Sequence, residues 1–298
     1  VIPYAQLRPG RGGEPLRAVA YYAQRLAVWP AGRRAVSRLL ATAVNLSRGE
    51  APPRVRADGD SGRTLRELER DGVSMLAPLA SPARVRRMVD YFLQRQVVGP
   101  HGAAALEDLP PGTASAAYDL ETVLGCPGLA RLVNAPPVLQ VAASYLGCRP
   151  TLSSLGVRWA FPTTSARPTF QSFHRDVDDW RFLKLFIYLT DVDEDCGPHT
   201  YVRGSHRSAF GVRSREYQIG QLARRYGAGS VTTVLGPRGT TFLADTIGVH
   251  RGGVVRSKPR LILQAQYSIL PVYAFRYRPV AARARSLDPY TNRLLITA

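Results

Sequence analysis

His174 and Asp176 stand one residue apart in the run Gln171-Ser-Phe-His-Arg-Asp-Val-Asp-Asp-Trp180. On an extended segment, residues two apart point to the same face, so an imidazole and a carboxylate can meet one ion. The pair alone is a common pattern and equally fits a surface turn in the acidic patch of Asp176, Asp178 and Asp179. A second imidazole, His250, follows 74 residues after Asp176, behind the strand-and-turn sequence Gly239-Thr-Thr-Phe-Leu-Ala-Asp245-Thr-Ile-Gly-Val. Two imidazoles and one carboxylate make the facial set that holds non-haem Fe(II), leaving three adjacent positions for a bidentate co-substrate and O₂. Arg260 lies ten residues past His250 and opens an alternating segment, Arg260–Leu270. Leu261, Leu263, Ala265, Tyr267 and Ile269 form one face of it; Arg260, Ile262, Gln264, Gln266 and Ser268 form the other. A half-polar strand led by arginine suits a barrel interior with a charged ligand at its mouth. A guanidinium grips a carboxylate through two parallel hydrogen bonds, a geometry that lysine cannot reproduce.

The elements that must position these groups change in texture along the chain. Residues 1–18 are rich in Pro, Gly and Arg and read as a loose lead-in. Ala18–Leu46 has a helical pattern broken at Pro30, with Val36, Leu39, Leu40, Ala43 and Val44 expected to pack inward and Arg33, Arg34, Ser37 and Arg38 lying off that stripe. Residues 48–63 read as a loop. Ser81–Val97 reads as a helix capped by Ser81, with Pro82 in its first position and Val85, Met88, Val89, Phe92 and Leu93 on one face. Pro100–Ser115 reads as a loop, and Val98–Ser115 as a candidate lid. Asp119–Leu146 holds one or two short helices, with breaks at Pro127 and at Pro136–Pro137. After Pro150 come short β-rich segments: Leu155–Phe161, Thr169–Asp176, Leu183–Thr190, Thr200–Val202, Ser230–Leu235, Thr240–Ala244 and Arg260–Leu270. Many short strands with turn signals predict a sandwich or barrel. The expected organisation is an α+β chain with a mainly β core. An Arg-rich N-terminal extension spans 1–60. The domain proper spans 61–298, helical over 61–150, with a β core over 151–270 and a tail over 271–298.

The 298 residues carry a net charge of +18, and all but two of the 40 basic residues are arginine. Residues 1–60 hold ten Arg against four acids, and residues 251–298 hold nine basic residues against one acid. Such ends suit a solvated surface, an anionic substrate or an anionic membrane face, and nucleic acid is the weakest of these readings. No apolar run approaches the roughly 20 residues of a membrane span. Three cysteines, Cys126, Cys148 and Cys196, without C-x-x-C spacing exclude a disulfide framework and predict a cytoplasmic setting.

The order His174-x-Asp176…His250-x9-Arg260 resembles that of the Fe(II)- and 2-oxoglutarate-dependent dioxygenases. The segment Leu185-Phe-Ile-Tyr-Leu-Thr-Asp-Val-Asp-Glu-Asp-Cys-Gly-Pro-His-Thr-Tyr-Val-Arg-Gly-Ser-His206 resembles the phytanoyl-CoA dioxygenase (PhyH-like) family in particular, and Asp71-Gly-Val-Ser-Met-Leu-Ala-Pro-Leu is similar to that family's opening strand. The resemblance runs from about Asp71 to Gln266. Arg203 departs from the family's Pro before Gly-Ser-His, and Cys196 from its Asn before Gly-Pro.

The resemblance implies a double-stranded β-helix, or cupin-like jelly-roll, with flanking N-terminal helices. It implies an oxygenase that uses Fe(II), 2-oxoglutarate and O₂ and releases succinate and CO₂. His174, Asp176 and His250 would hold the metal, and Arg260 the distal carboxylate of 2-oxoglutarate, with Arg158 and Lys184 close enough to assist. Trp180, His199 and Gln171 are the candidate substrate contacts. The retained Asp176 argues against halogenation. The expected reaction is hydroxylation of a small molecule of natural-product, lipid or sugar type, with an anionic group suited to the Arg-rich ends. A jelly-roll that binds an anionic partner without catalysis is the alternative, and the complete ligand set speaks against it. Peripheral membrane contact is compatible with the basic ends.

Overall fold

The computed structural model describes residues 15–27, 29–56, 58–99, 102–162, 171–209, 217–273, 275–281 and 287–297. Helices α1 (Pro15–Leu26), α2 (Pro30–Arg48) and α3 (Asp60–Asp71) come first, followed by strand β1 (Val73–Leu76) and helix α4 (Pro82–Leu93). Strands β2 (Val97–Gly99), β3 (Gly102–Ala104) and β4 (Ser115–Ala117) precede helices α5 (Leu120–Gly125), α6 (Leu129–Val133) and α7 (Pro136–Leu146). The core then runs through β5 (Thr151–Ala160), β6 (Phe182–Tyr188), β7 (His199–Val202), α8 (Ile219–Tyr226), β8 (Val231–Val234), β9 (Thr241–Ala244), β10 (His250–Gly252) and β11 (Arg260–Ser268). A short parallel pair, β12 (Val280–Ala281) and β13 (Ile296–Thr297), brackets helix α9 (Pro289–Asn292).

The strands form a jelly-roll. An eight-stranded sheet in the order β1-β9-β6-β11-β5-β4-β2-β3 faces a three-stranded sheet, β10-β7-β8. The alternation in β11 divides its environment as expected. Leu261, Leu263, Ala265, Tyr267 and Ile269 are fully buried against the helical layer of α4–α7, whereas Ile262 joins Phe186, Tyr188, Tyr201 and Phe242 between the sheets. On the same inner face stand Arg260 and, through antiparallel pairing, Arg158 opposite Ile262 and Lys184 opposite Gln266. No helix among the described residues is long and apolar enough to cross a membrane.

Several expectations are corrected. The eight-stranded sheet is not confined to residues after 150, because β1 to β4 extend both of its edges. The polar stretch after Gly59 forms α3, supported by an i,i+4 contact of Arg63 with Glu67 at 3.2 Å and ended by Gly72 at φ 82°. The region read as a loop at Pro100–Ser115 contains β3, paired with β2 at the sheet edge. Residues 1–14 of the expected lead-in, 100–101 of the candidate lid and 169–170 of the Thr169–Asp176 segment lie outside the described residues. His174 and Asp176 sit on irregular chain tied by single bridges, not on a regular strand.

Helix α2 also turns a different face inward. Its buried line is Arg33, Ser37, Ala41 and Asn45, while Leu39 and Leu46 are 72% and 77% exposed. Polar anchoring decides this. Arg33 donates to the carbonyls of Gln24, Ala27 and Asp179, and Asn45 Nδ2 donates to the Gly147 carbonyl at 2.9 Å. With Gln24 Nε2 reaching Asp179 Oδ1 at 3.2 Å, α1 and α2 are docked beside the His-x-Asp segment.

Candidate metal centre and co-substrate cavity

Two chain segments bring the ligands together. The backbones of His174 and His250 exchange a pair of hydrogen bonds, 2.9 and 3.0 Å, and the Asp176 N–H donates to the Thr246 carbonyl at 2.8 Å. The turn before His250 is fixed by Asp245, whose Oδ1 accepts from the Ile247 N–H at 3.0 Å. Gly248 is required there, because a Cβ would collide with the Tyr201 hydroxyl. Arg175 lies between the two ligands in sequence and points the other way. Its guanidinium donates to the carbonyls of Ser205 and Ile247, at 2.9 and 2.7 Å, and to the hydroxyls of Tyr217 and Tyr226. It pins the ligand-bearing segment from behind.

The ligand atoms of His174, Asp176 and His250 lie within 4.8 Å of one another. His174 Nε2 is 3.7 Å from Asp176 Oδ1, and His250 Nε2 is 3.5 Å from Asp176 Oδ2. Each imidazole donates its Nδ1–H to a main-chain carbonyl, His174 to Ser172 at 2.8 Å and His250 to Gly248 at 2.9 Å. A carbonyl can only accept, so Nδ1 carries the proton and both Nε2 lone pairs face the Asp176 carboxylate. Burial pushes His250 down to about 4, which keeps it a neutral ligand. Burial would raise the Asp176 carboxyl, but Lys184 and the two imidazoles outweigh it and hold the group well below the usual carboxylate range. Two neutral nitrogens and one carboxylate on one side fit Fe(II) with open positions opposite.

Arg260 lines the same cavity of about 240 Å³, together with Arg158, Lys184, Phe186, His199 and Ile262. Only 5% of Arg260 is exposed, and its Nε and Nη1 atoms have no hydrogen-bond partner among the described residues. Tyr188 holds the guanidinium through its hydroxyl, which also accepts from the His199 N–H at 2.9 Å and donates to the Val234 carbonyl. Buried N–H donors without acceptors are costly unless a ligand completes them, and a carboxylate is such an acceptor.

The remaining expected residues fall in different places. Lys184 Nζ lies 2.7 Å from Asp176 and 3.3 Å from Asp178, so its charge is paired with these two carboxylates. His199 sits deep in the Arg260 cavity, its ring 4.9 Å from Phe186 and 5.5 Å from His250, rather than in a separate substrate space. Burial drives its pKa well below the ordinary value. Gln171 is buried and borders neither this cavity nor the larger one beside it. Trp180 borders that second cavity, of about 400 Å³, which meets the first at Asp176 and is closed on one side by α2. No described residue of Val98–Ser115 borders either cavity.

Sequence reasoning missed three supports. Arg175 was legible only as the residue between two ligands, which must face away from them. Asp179 is fully buried and accepts the N–H groups of Trp180, Ile269 and Leu270, fixing the end of the ligand segment against the last turn of the core. Tyr188 shares its strand face with Lys184 and Phe186, and that alternation was the available signal.

The fold has counterparts among known proteins. EctD from S. alaskensis, solved with 2-oxoglutarate and 5-hydroxyectoine, is 21% identical with a TM-score of 0.52, and the match covers 84% of this chain and 92% of that one. The non-haem α-ketoglutarate-dependent epimerase SnoN from nogalamycin biosynthesis is 20% identical with a TM-score of 0.51, covering 70% of this chain and 82% of its own. HygX from Streptomyces hygroscopicus, solved with nickel, 2-oxoglutarate and hygromycin B, is 15% identical with a TM-score of 0.51, covering 76% and 93%. At these identities the likeness is one of fold. No curated protein matches the chain. Residues 68–260 match the phytanoyl-CoA dioxygenase (PhyH) family, a span that includes His174, Asp176, His250 and Arg260, and the chain belongs to that family of iron- and 2-oxoglutarate-dependent oxygenases.

Proposed function

We propose that this oxygenase hydroxylates a small molecule, with His174, Asp176 and His250 holding the iron and Arg260 gripping the distal carboxylate of 2-oxoglutarate. The observation that carries the reading is the pair of unpartnered Arg260 nitrogens in the cavity onto which the two Nε2 atoms and the Asp176 carboxylate open. Iron with 2-oxoglutarate and O₂ supplies the oxidising power for C–H oxygenation, with release of succinate and CO₂. The chain's own residues bind, orient and exclude water. Lys184 keeps Asp176 ionised and fixes its direction. Phe186 and the neutral His199 ring line the cavity with Arg260, and Phe242 stacks on Phe186, so the guanidinium's interaction with a carboxylate is strengthened by low polarity. Arg158, at the exposed end of the same strand face, is the second cation we assign to the co-substrate. Trp180 is the wall we assign to the substrate side.

A cytoplasmic setting agrees with three free, buried cysteines. The reading is tested by supplying Fe(II), 2-oxoglutarate and O₂ and following succinate with and without candidate small molecules. Succinate formation that requires His174 and is accelerated by a hydroxylated product's precursor is the expected result. Equal succinate formation by His174→Ala would overturn it.

A further inference from the structure

The cavity that meets the metal centre at Asp176 is lined by six arginines: Arg33, Arg34, Arg38, Arg175, Arg181 and Arg207. They are not equivalent. Arg33 and Arg175 donate to main-chain carbonyls and build the walls. Arg181 lies flat on the Tyr145 ring, 4.0 Å from its centroid. Among the described residues, the side chains of Arg34, Arg38 and Arg207 make no salt bridge or hydrogen bond. Arg34 and Arg38 are one helical turn apart on α2 and so share the face that looks into the cavity. Arg207 comes from the turn after β7 and lines the same cavity.

The acids on the wall do not offset this charge equally. Asp176 is paired with Lys184, and Asp245 accepts from the Tyr145 hydroxyl and the Ile247 N–H. Glu69 is the remaining acid, and it is exposed. A cavity of about 400 Å³ is large enough for a small molecule. The helix that closes it lies outside the residues that match the family, so its arginines are a feature of this chain's own N-terminal segment.

We propose that this cavity is the oxyanion-binding part of the substrate site, in which Arg34 and Arg38 of α2, together with Arg207, hold a phosphate or carboxylate group of the substrate. The inference rests on the oxygenase reading, because the cavity serves a substrate only if Asp176 belongs to the reaction centre. Forked guanidinium groups suit tetrahedral and planar oxyanions alike, and three of them on one cavity favour the higher charge of a phosphate. The arrangement gives the N-terminal helices a function. They are not an appendage, and they set which molecules are presented to the metal centre.

The test is calorimetric titration of inorganic phosphate, and separately of acetate, into the full-length metal-free chain. The variants are Arg34→Gln/Arg38→Gln, Arg207→Gln and, as a control in the other cavity, Arg260→Gln. The arginines of the first two are exposed, so these variants should keep the wild-type thermal midpoint. The expected result is one phosphate per chain, bound at least tenfold more weakly by Arg34→Gln/Arg38→Gln, more weakly by Arg207→Gln, and within twofold of wild type by Arg260→Gln. Preference for acetate over phosphate would assign the anion as a carboxylate. Absence of both anions from the wild type would overturn the proposal. Binding that survives Arg34→Gln/Arg38→Gln, or vanishes in Arg260→Gln, would also overturn it. Titrating 2-oxoglutarate into the nickel-loaded wild type tests the oxygenase reading separately, since that binding depends on Arg260 and not on α2.

Discussion

Replacing Arg260 by lysine keeps a positive charge in the co-substrate cavity and removes the fork. Arg260 lines the cavity with Nε and Nη1 unpartnered among the described residues, while the Tyr188 hydroxyl anchors the group. A carboxylate gripped by one fork of a guanidinium makes two parallel charge-assisted contacts, and a single ammonium offers one point of attachment. Losing one such contact costs about 1.5–3 kcal/mol, or roughly a ten- to 150-fold rise in Kd. The buried position makes the upper part of that range the better expectation, because only 5% of the residue is exposed and water cannot replace the lost donor. The assay is anaerobic calorimetric titration of 2-oxoglutarate into the nickel-loaded protein, with nickel affinity measured beforehand. Arg260→Lys should bind nickel as the wild type does and 2-oxoglutarate at least tenfold more weakly. Unchanged 2-oxoglutarate affinity in Arg260→Ala would refute the assignment.

Three further outcomes follow from buried groups. His199 and His250 have folded pKa values below the ordinary 6.5, that of His250 at about 4, so between these values the unfolded chain binds more protons. Stability of the metal-free protein should therefore rise with pH from about 4 to 6.5 and be lost as pH falls through that window. His199→Phe, among Phe186 and Phe242, should move acid unfolding followed by circular dichroism to lower pH, and an unmoved midpoint would contradict the burial argument. Gly248→Ala should cost about 1–3 kcal/mol in denaturant unfolding, because its Cβ meets the Tyr201 hydroxyl that donates to the Asp245 carbonyl. Burial pushes the thiols of Cys126 and Cys148 up to about 12, so iodoacetamide at pH 8 should leave both unmodified in the native protein by mass spectrometry and label both after unfolding.

The candidate centre was legible where chemistry and periodicity coincide. His174, Asp176, His250 and Arg260 are few, widely spaced and chemically matched, and the alternation of Arg260–Leu270 already stated which side chains face the interior. The jelly-roll itself was visible as short strands after Pro150, but its edge strands β2 to β4 are three residues each and carry too little pattern to stand out. Helix α3 was hidden for the opposite reason, since its turns are held by charge pairs and few apolar residues. The orientation of α2 was misread because hydrophobic periodicity alone points Leu39 inward. Three carbonyls and the buried Asp179 segment draw Arg33 inward instead, a long-range match that no local pattern contains. The division between the two adjoining cavities, and with it the place of His199, depended on which strands face one another across the core.

The most direct test of the central claim is an anaerobic titration of 2-oxoglutarate into the Fe(II)-loaded protein, followed by the visible charge-transfer absorption of an Fe(II)-chelated α-keto acid. A saturable band with one equivalent of iron in the wild type, absent from His174→Ala and Asp176→Ala, is the expected result. A wild-type protein that takes up iron and 2-oxoglutarate without that band, or a band that persists in His174→Ala, would contradict the assignment of His174, Asp176 and His250 as the metal ligands.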